Sequence, residues 1–125
     1  MSPQSDFPIV FEQLKSIFKP YEKNLTVTAD TATDYSLDGP YSEKYKKVLF
    51  FGAAQIKKNY VAFYLMPVYM FPDLLKGMSL ELKKHMQGKS CFNFKNVEPE
   101  LFSELASLTR QSVERSRAAK AAGEV

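Results

Sequence analysis

The sequence predicts an α+β fold: a single domain in which an antiparallel sheet of about five strands carries helices from both ends of the chain. Three observations lead there. Residues 47–67 hold two runs of β-branched and aromatic side chains, with Val48, Leu49, Phe50 and Phe51 in one and Tyr60, Val61, Phe63, Tyr64 and Leu65 in the other; a polar Lys57-Lys58-Asn59 turn between them makes this a central hairpin. Apolar residues recur at helical spacing near both termini. The chain has 125 residues, 45% hydrophobic and 25% charged, which suits a globular chain with one core.

Taken in order, Ser5 or Asp6 is placed to cap a first helix, with Pro8 near its first position, where a missing N–H costs least. Val10, Leu14, Ile17, Phe18 and Tyr21 form its apolar stripe, and Pro20 stops it, so the helix is expected over residues 7–19. Residues 25–29 alternate with period two and read as a first strand. Residues 35–37 are a short extended piece that Asp38-Gly39-Pro40 ends, and residues 41–46 read as a polar surface loop. Residues 48–53 form the next strand. Gly52 inside it signals a bulge or the close approach of another backbone, and residues 54–57 either continue the strand or begin another. Residues 60–66 are the following strand, closed by Pro67. Both hairpin strands are apolar on both faces, unlike a half-exposed antiparallel strand.

A connector with a helical turn after Pro72 follows. Ser79 then caps a helix expected over residues 80–87, with Lys83, Lys84 and His85 in its last turn and Gly88 past its end. Residues 90–95 are the last strand, with Ser90, Phe92 and Phe94 on one face and Cys91, Asn93 and Lys95 on the other. Pro99 starts a final helix whose stripe is Leu101, Phe102, Leu105 and Leu108, continued by Ser112 and Val113. Residues 116–125 have no apolar stripe and are expected to fray. The domain therefore spans residues 7–115, between a flexible segment of residues 1–6 and a frayed tail.

Composition excludes some classes. The net charge of +3, from 17 basic and 14 acidic residues, is too small to indicate nucleic acid as a partner. The longest apolar run is broken by Pro67 and is too short to cross a bilayer, so no membrane is expected. The first six residues carry an acid and no apolar core, and a single cysteine cannot form an internal disulfide, so the expected compartment is the cytoplasm.

The chemical candidates are sparse. His85 stands alone, without a nucleophile or further ligands beside it in sequence, and its helix-end setting accounts for it. Cys91 shares a strand face with Lys95 and has Lys89 nearby, which would lower a thiol pKa, but it lacks a second cysteine and a buried free cysteine is common. Asp30, Asp34 and Asp38 lack the glycine and closing glutamate of a calcium loop, and Glu98, Glu100 and Glu104 suit a helix N-terminus. No catalytic residue and no metal ligand is assigned. Lys44, Lys46, Lys47, Lys57 and Lys58 lie beside Tyr41, Tyr45 and Tyr60; such a surface can hold an anion, and equally it protects strand edges.

Three stretches form a set: Tyr45-Lys-Lys-Val-Leu-Phe-Phe-Gly-Ala with Gln55-Ile and Lys58-Asn-Tyr-Val; Leu65-Met-Pro-Val-Tyr; and Leu82-Lys-Lys-His-Met-Gln-Gly-Lys-Ser-Cys-Phe-Asn-Phe-Lys followed by Leu101-Phe. Together they resemble the YdhG-like family of small bacterial proteins, a domain of unknown function, over residues 7–113. The resemblance implies a curved antiparallel sheet with helices packed on it, in the cytoplasm, and it supplies no catalytic residues. One branch of that family is frataxin-like and carries iron by surface carboxylates. Here the first helix region sets Asp6, Glu12 and Glu22 against Lys15, Lys19 and Lys23, so it has no acidic ridge, and no cofactor is expected; iron enters only under that alternative.

The expected function is thus a non-enzymatic binding module for a small ligand or a protein partner, a second copy of the chain included. The expected ligand residues are Tyr41, Lys47, Tyr60, Tyr64 and Lys89, with Cys91, Asn93 and Lys95 beside them on the sheet.

Overall fold

In the computed structural model, which describes residues 6–125, helix α1 (Phe7–Phe18) opens the fold and a 3-10 turn at Lys19–Tyr21, around Pro20, ends it. Phe7, Val10, Phe11, Leu14, Ile17 and Phe18 are buried, one continuous helical face. Asp6 stands at the cap position, yet its side chain makes no capping bond: its backbone is already helical (φ −92°, ψ −10°) instead of extended, as a capping residue requires. The alternative cap, Ser5, lies with the rest of residues 1–5 outside the described residues.

Six strands form one antiparallel sheet: β1 (Thr26–Asp30), β2 (Asp34–Ser42), β3 (Lys47–Ile56), β4 (Val61–Leu65), β5 (Met86–Gln87) and β6 (Cys91–Phe94), in the order β1-β2-β3-β4-β6-β5. Two features differ from expectation. Strand β2 runs through Gly39-Pro40 to Ser42 instead of stopping at Asp38. A register shift between Asp38 and Tyr41 absorbs the proline, which has no N–H to give to the ladder and is tolerated at such an irregularity. The sixth strand arises where a longer helix was expected. Helix α3 (Leu80–Lys83), capped by the Ser79 hydroxyl on the Leu82 N–H, ends after four residues, and Met86 and Gln87 pair with Phe92 and Cys91. Gly88 (φ +78°) therefore turns a hairpin and does not cap a helix.

Two further helices complete the chain. Helix α2 (Met66–Met70) starts directly at the end of β4, with Pro67 in its first turn, and a 3-10 turn follows at Pro72–Leu75. Helix α4 (Pro99–Ala121) passes well beyond Arg115, where fraying was expected. Gly123 (φ +76°) donates its N–H to the Lys120 carbonyl and Glu124 donates to Ala119, the paired bonds of a Schellman cap. Ala118, Ala119, Ala121 and Ala122 have the highest helix propensity, and Ala119 is fully buried.

The register sorts the sheet into two faces. Tyr35, Leu37, Ala54, Val61, Phe63, Leu65, Phe92 and Phe94 share one and are buried; α1 packs on β3 and β4 there, and α4 packs on α1. The Phe18 ring stacks on Phe63 at 4.7 Å and meets Phe51 edge-on at 6.2 Å. Burying an aromatic side chain of this size contributes about 1.5–3 kcal/mol. Gly52 makes the approach possible, because a Cβ there would lie 2.7 Å from the Phe18 ring and 2.8 Å from the Tyr64 carbonyl oxygen. Leu37 pairs with Gly52 and Asp38 with Phe50, so Phe51 is an extra residue in β3. The expected bulge and the expected close approach are both present. The other face carries Ser36, Ala53, Gln55, Ala62, Tyr64, Cys91 and Asn93, and the two long helices lie away from it.

Candidate functional site

β2 and β3 extend past the core, and that overhang makes the site. The far half of this ribbon, the end of α2 and the last turns of α4 enclose a cavity of about 390 Å³. Its walls are nearly all apolar: Leu25 before β1, Pro40 and Tyr41 of β2, Leu49, Phe50 and Phe51 of β3, Pro67, Met70 and Phe71 at α2, and Val113 of α4. The bulged backbone brings Phe50 and Phe51 to the cavity in succession, and the same extra residue that meets Phe18 forms part of the wall.

Polar groups gather where α4 closes the space. Ser116, Arg117 and Lys120 line it, and Lys120 Nζ donates to the Tyr41 carbonyl oxygen at 2.8 Å, tying the helix to the ribbon. Arg115 lies over the Phe71 ring, 4.1 Å from its centre, and its charge is met by Glu124 at 3.5 Å and Asp73 at 4.0 Å. Arg117 and Lys120, in contrast, have no ion pair among the described residues.

A shallower hollow of about 640 Å³ adjoins the cavity and shares Met70 and Phe71 with it. Lys44, Tyr45, Tyr69 and Lys89 line it. Lys44 Nζ stands 5.4 Å from the centre of the Tyr45 ring and Lys89 Nζ 5.9 Å from that of Tyr69, a range in which cation and ring attract.

Of the expected ligand residues, Tyr41 lines the cavity and Lys89 the hollow beside it. Lys47, Tyr60, Tyr64 and Lys95 line neither, so the expected grouping of Tyr41, Lys47, Tyr60, Tyr64 and Lys89 is not gathered there. Tyr64, Cys91 and Asn93 come together elsewhere, on the sheet face opposite the long helices, where Tyr64 pairs with Cys91 and the Cys91 thiol donates to Asn93 Oδ1 at 3.2 Å. Burial pushes the Cys91 thiol up, and the smaller opposing effects of the Tyr64 hydroxyl and the Lys57 charge do not offset it. The lowering expected from neighbouring lysines is thus corrected: at neutral pH this sulfur is a thiol and a poor nucleophile.

His85 is a clasp. Its Nδ1 is 2.7 Å from the Asn93 carbonyl oxygen, its ring stacks on Phe94 at 4.5 Å, and Nε2 is 3.7 Å from a Glu98 carboxylate oxygen. The carbonyl can only accept, so Nδ1 carries a proton. Among the described residues, no group of three or more His, Cys, Asp and Glu side chains is arranged to hold a metal. No helix among them is long and apolar enough to cross a membrane.

Sequence reasoning missed Leu49, Phe50, Met70, Phe71, Ser116, Arg117 and Lys120 as site residues. Gly123 was the available signal: a glycine directly after an alanine-rich stretch marks a helix end, which puts residues 116–121 on α4. Comparisons of the chain with family models, curated proteins and solved structures found no match.

Proposed function

We propose that this protein is a non-enzymatic binding module that holds a small, largely apolar molecule in the cavity between the β2–β3 ribbon and α4. The observation that carries this is the cavity itself. At about 390 Å³ it falls within the ~300–1,000 Å³ of small-molecule sites. It is also more than twice the ~150 Å³ that suffices for a dry apolar cavity to take up benzene. A space lined by Leu49, Phe50, Met70 and Phe71 is unfavourable to water and favourable to apolar matter. The described residues give the cavity hydrogen-bond donors and cations and no nucleophile with a base beside it, which suits retention of a ligand better than its conversion. The reading goes with a reducing, cytoplasmic setting, supported by the half-buried free thiol of Cys91.

The test is titration with a neutral apolar fluorophore, N-phenylnaphthylamine. The expected result is saturable binding at one site per chain, with a rise in melting temperature; at a concentration of ~100 times Kd the gain is about 2.7 kcal/mol. Ser116→Trp places a ring in the cavity from a half-buried helix position and should abolish binding while the circular dichroism stays that of the parent. Absence of saturable binding, or binding unaffected by Ser116→Trp, refutes the proposal.

A further inference from the structure

The cavity and the hollow beside it differ in kind. One is apolar; the other is rimmed by cations. Lys44 and Lys89 line the hollow, and Arg117 and Lys120 line the cavity on its α4 side. None of the four forms an ion pair among the described residues, although the same chain pairs Lys15, Lys19, Arg110 and Arg115 with carboxylates. The one acidic side chain lining the hollow, Glu124, is engaged with Arg115. Two cations line each of two adjoining spaces; like charges so placed repel one another, and an anion held among them relieves that repulsion. Lys120 is further held in place by the Tyr41 carbonyl, which fixes one of the four charges at the cavity wall.

We infer that the ligand is an anionic amphiphile: a molecule whose apolar body fills the cavity and whose carboxylate or phosphate head is met by Lys44, Lys89, Arg117 and Lys120. This deepens the binding-module proposal and rests on it. The two compartments share Met70, Phe71 and Val125 in their linings, so they adjoin closely enough for one molecule to extend from one into the other. Tyr45 and Tyr69 stand beside the two lysines of the hollow, and their rings hold the aliphatic stems and partly solvated charges close to the rim. A guanidinium such as Arg117 suits either head, since it can hold a carboxylate or a phosphate through two parallel bonds.

The test compares decanol, decanoate and decyl phosphate by calorimetry on the intact chain. All three share one apolar tail. The expected result is that both anions bind about tenfold or more tightly than decanol, the ratio that one charge-assisted hydrogen bond supplies. The advantage should shrink as salt is raised. In the double variant Lys44→Gln, Lys89→Gln, which leaves the cavity lining untouched, it should fall by about threefold or more while decanol binds as before; both positions are exposed, so folding is not at stake. Ser116→Trp should remove all three. The ratio of decanoate to decyl phosphate in the parent tells which head the rim favours. If decanol binds and the anions bind no better, or if the double variant keeps the full anion advantage, the inference is overturned and the cavity proposal stands. If none of the three binds, both fall.

Discussion

Of the five glycines, Gly52 has the least room for a side chain. Phe18 and the Tyr64 carbonyl oxygen both lie inside the contact distance of the side chain it lacks, and the carbonyl belongs to the paired strand and cannot turn aside. Gly52→Ala is therefore expected to destabilise the fold by about 1–3 kcal/mol, the cost of overpacking a tight core, measured by urea denaturation. A stability unchanged within error would show that α1 sits further from the sheet than described. A second residue-scale effect concerns acid. The Tyr35 hydroxyl donates to a Glu22 carboxylate oxygen, holding that carboxyl below its ordinary 4.5, and the Lys15 ammonium holds Asp30 below its ordinary 3.8. In the unfolded chain both carboxyls have their ordinary values and take up protons first. Their contribution is thus fully present above the ordinary values and is lost as pH falls through the lower folded ones. Tyr35→Phe removes the Glu22 bond. The expected outcome is a shallower loss of melting temperature on acidification below pH ~4.5 than in the parent, with little difference in slope above it. Parallel profiles would dispose of the Glu22–Tyr35 coupling.

At the scale of elements, most helices and strands are legible from periodicity because one face of each is buried. α1 and the early turns of α4 carry apolar residues at every third or fourth position, whereas the hairpin, apolar on both faces, is legible from its β-branched and aromatic runs and the polar turn between them. The missed boundaries have local physical causes. β2 outlasts Pro40 because a register shift takes the proline out of the ladder. The helix at Leu80 stops after four residues because Met86 and Gln87 gain ladder bonds to β6, and no local propensity encodes that partner. The last turns of α4 lack an apolar stripe because they cover a cavity instead of a core; propensity and the glycine cap hold them. Gly123→Ala should accordingly strain the cap by about 1 kcal/mol, because its φ of +76° crowds a Cβ. Helical circular dichroism should fall slightly and the affinity for decanoate should fall with it, while Gly123→Asn keeps most of both. An affinity untouched by Gly123→Ala would separate the site from the end of α4.

For the molecule as a whole, the fold class could be read from the chain, whereas the site could not. Tyr41 and Lys89 were among the expected ligand residues, but the cavity is built from chain segments as distant as Leu25, Phe50, Phe71 and Arg117. Only tertiary structure brings those together, and none has an unusual residue type to announce it. The apolar excess of the central hairpin was the visible trace: part of it lines a space and does not fill a core.

The single bond from Lys120 to the Tyr41 carbonyl joins chain positions 79 residues apart and sits at the margin of the packed interior. The α4 turns beside it are held by few buried neighbours, so they open at a lower free energy than the sheet does. Under the proposed binding function, ligand uptake then needs no global unfolding, only a brief release of the final turns of α4. Amide hydrogen exchange should show residues 116–121 exchanging well before β3 and β4, and a bound amphiphile should slow them selectively. Uniform protection along α4 would mean that this wall does not open on its own.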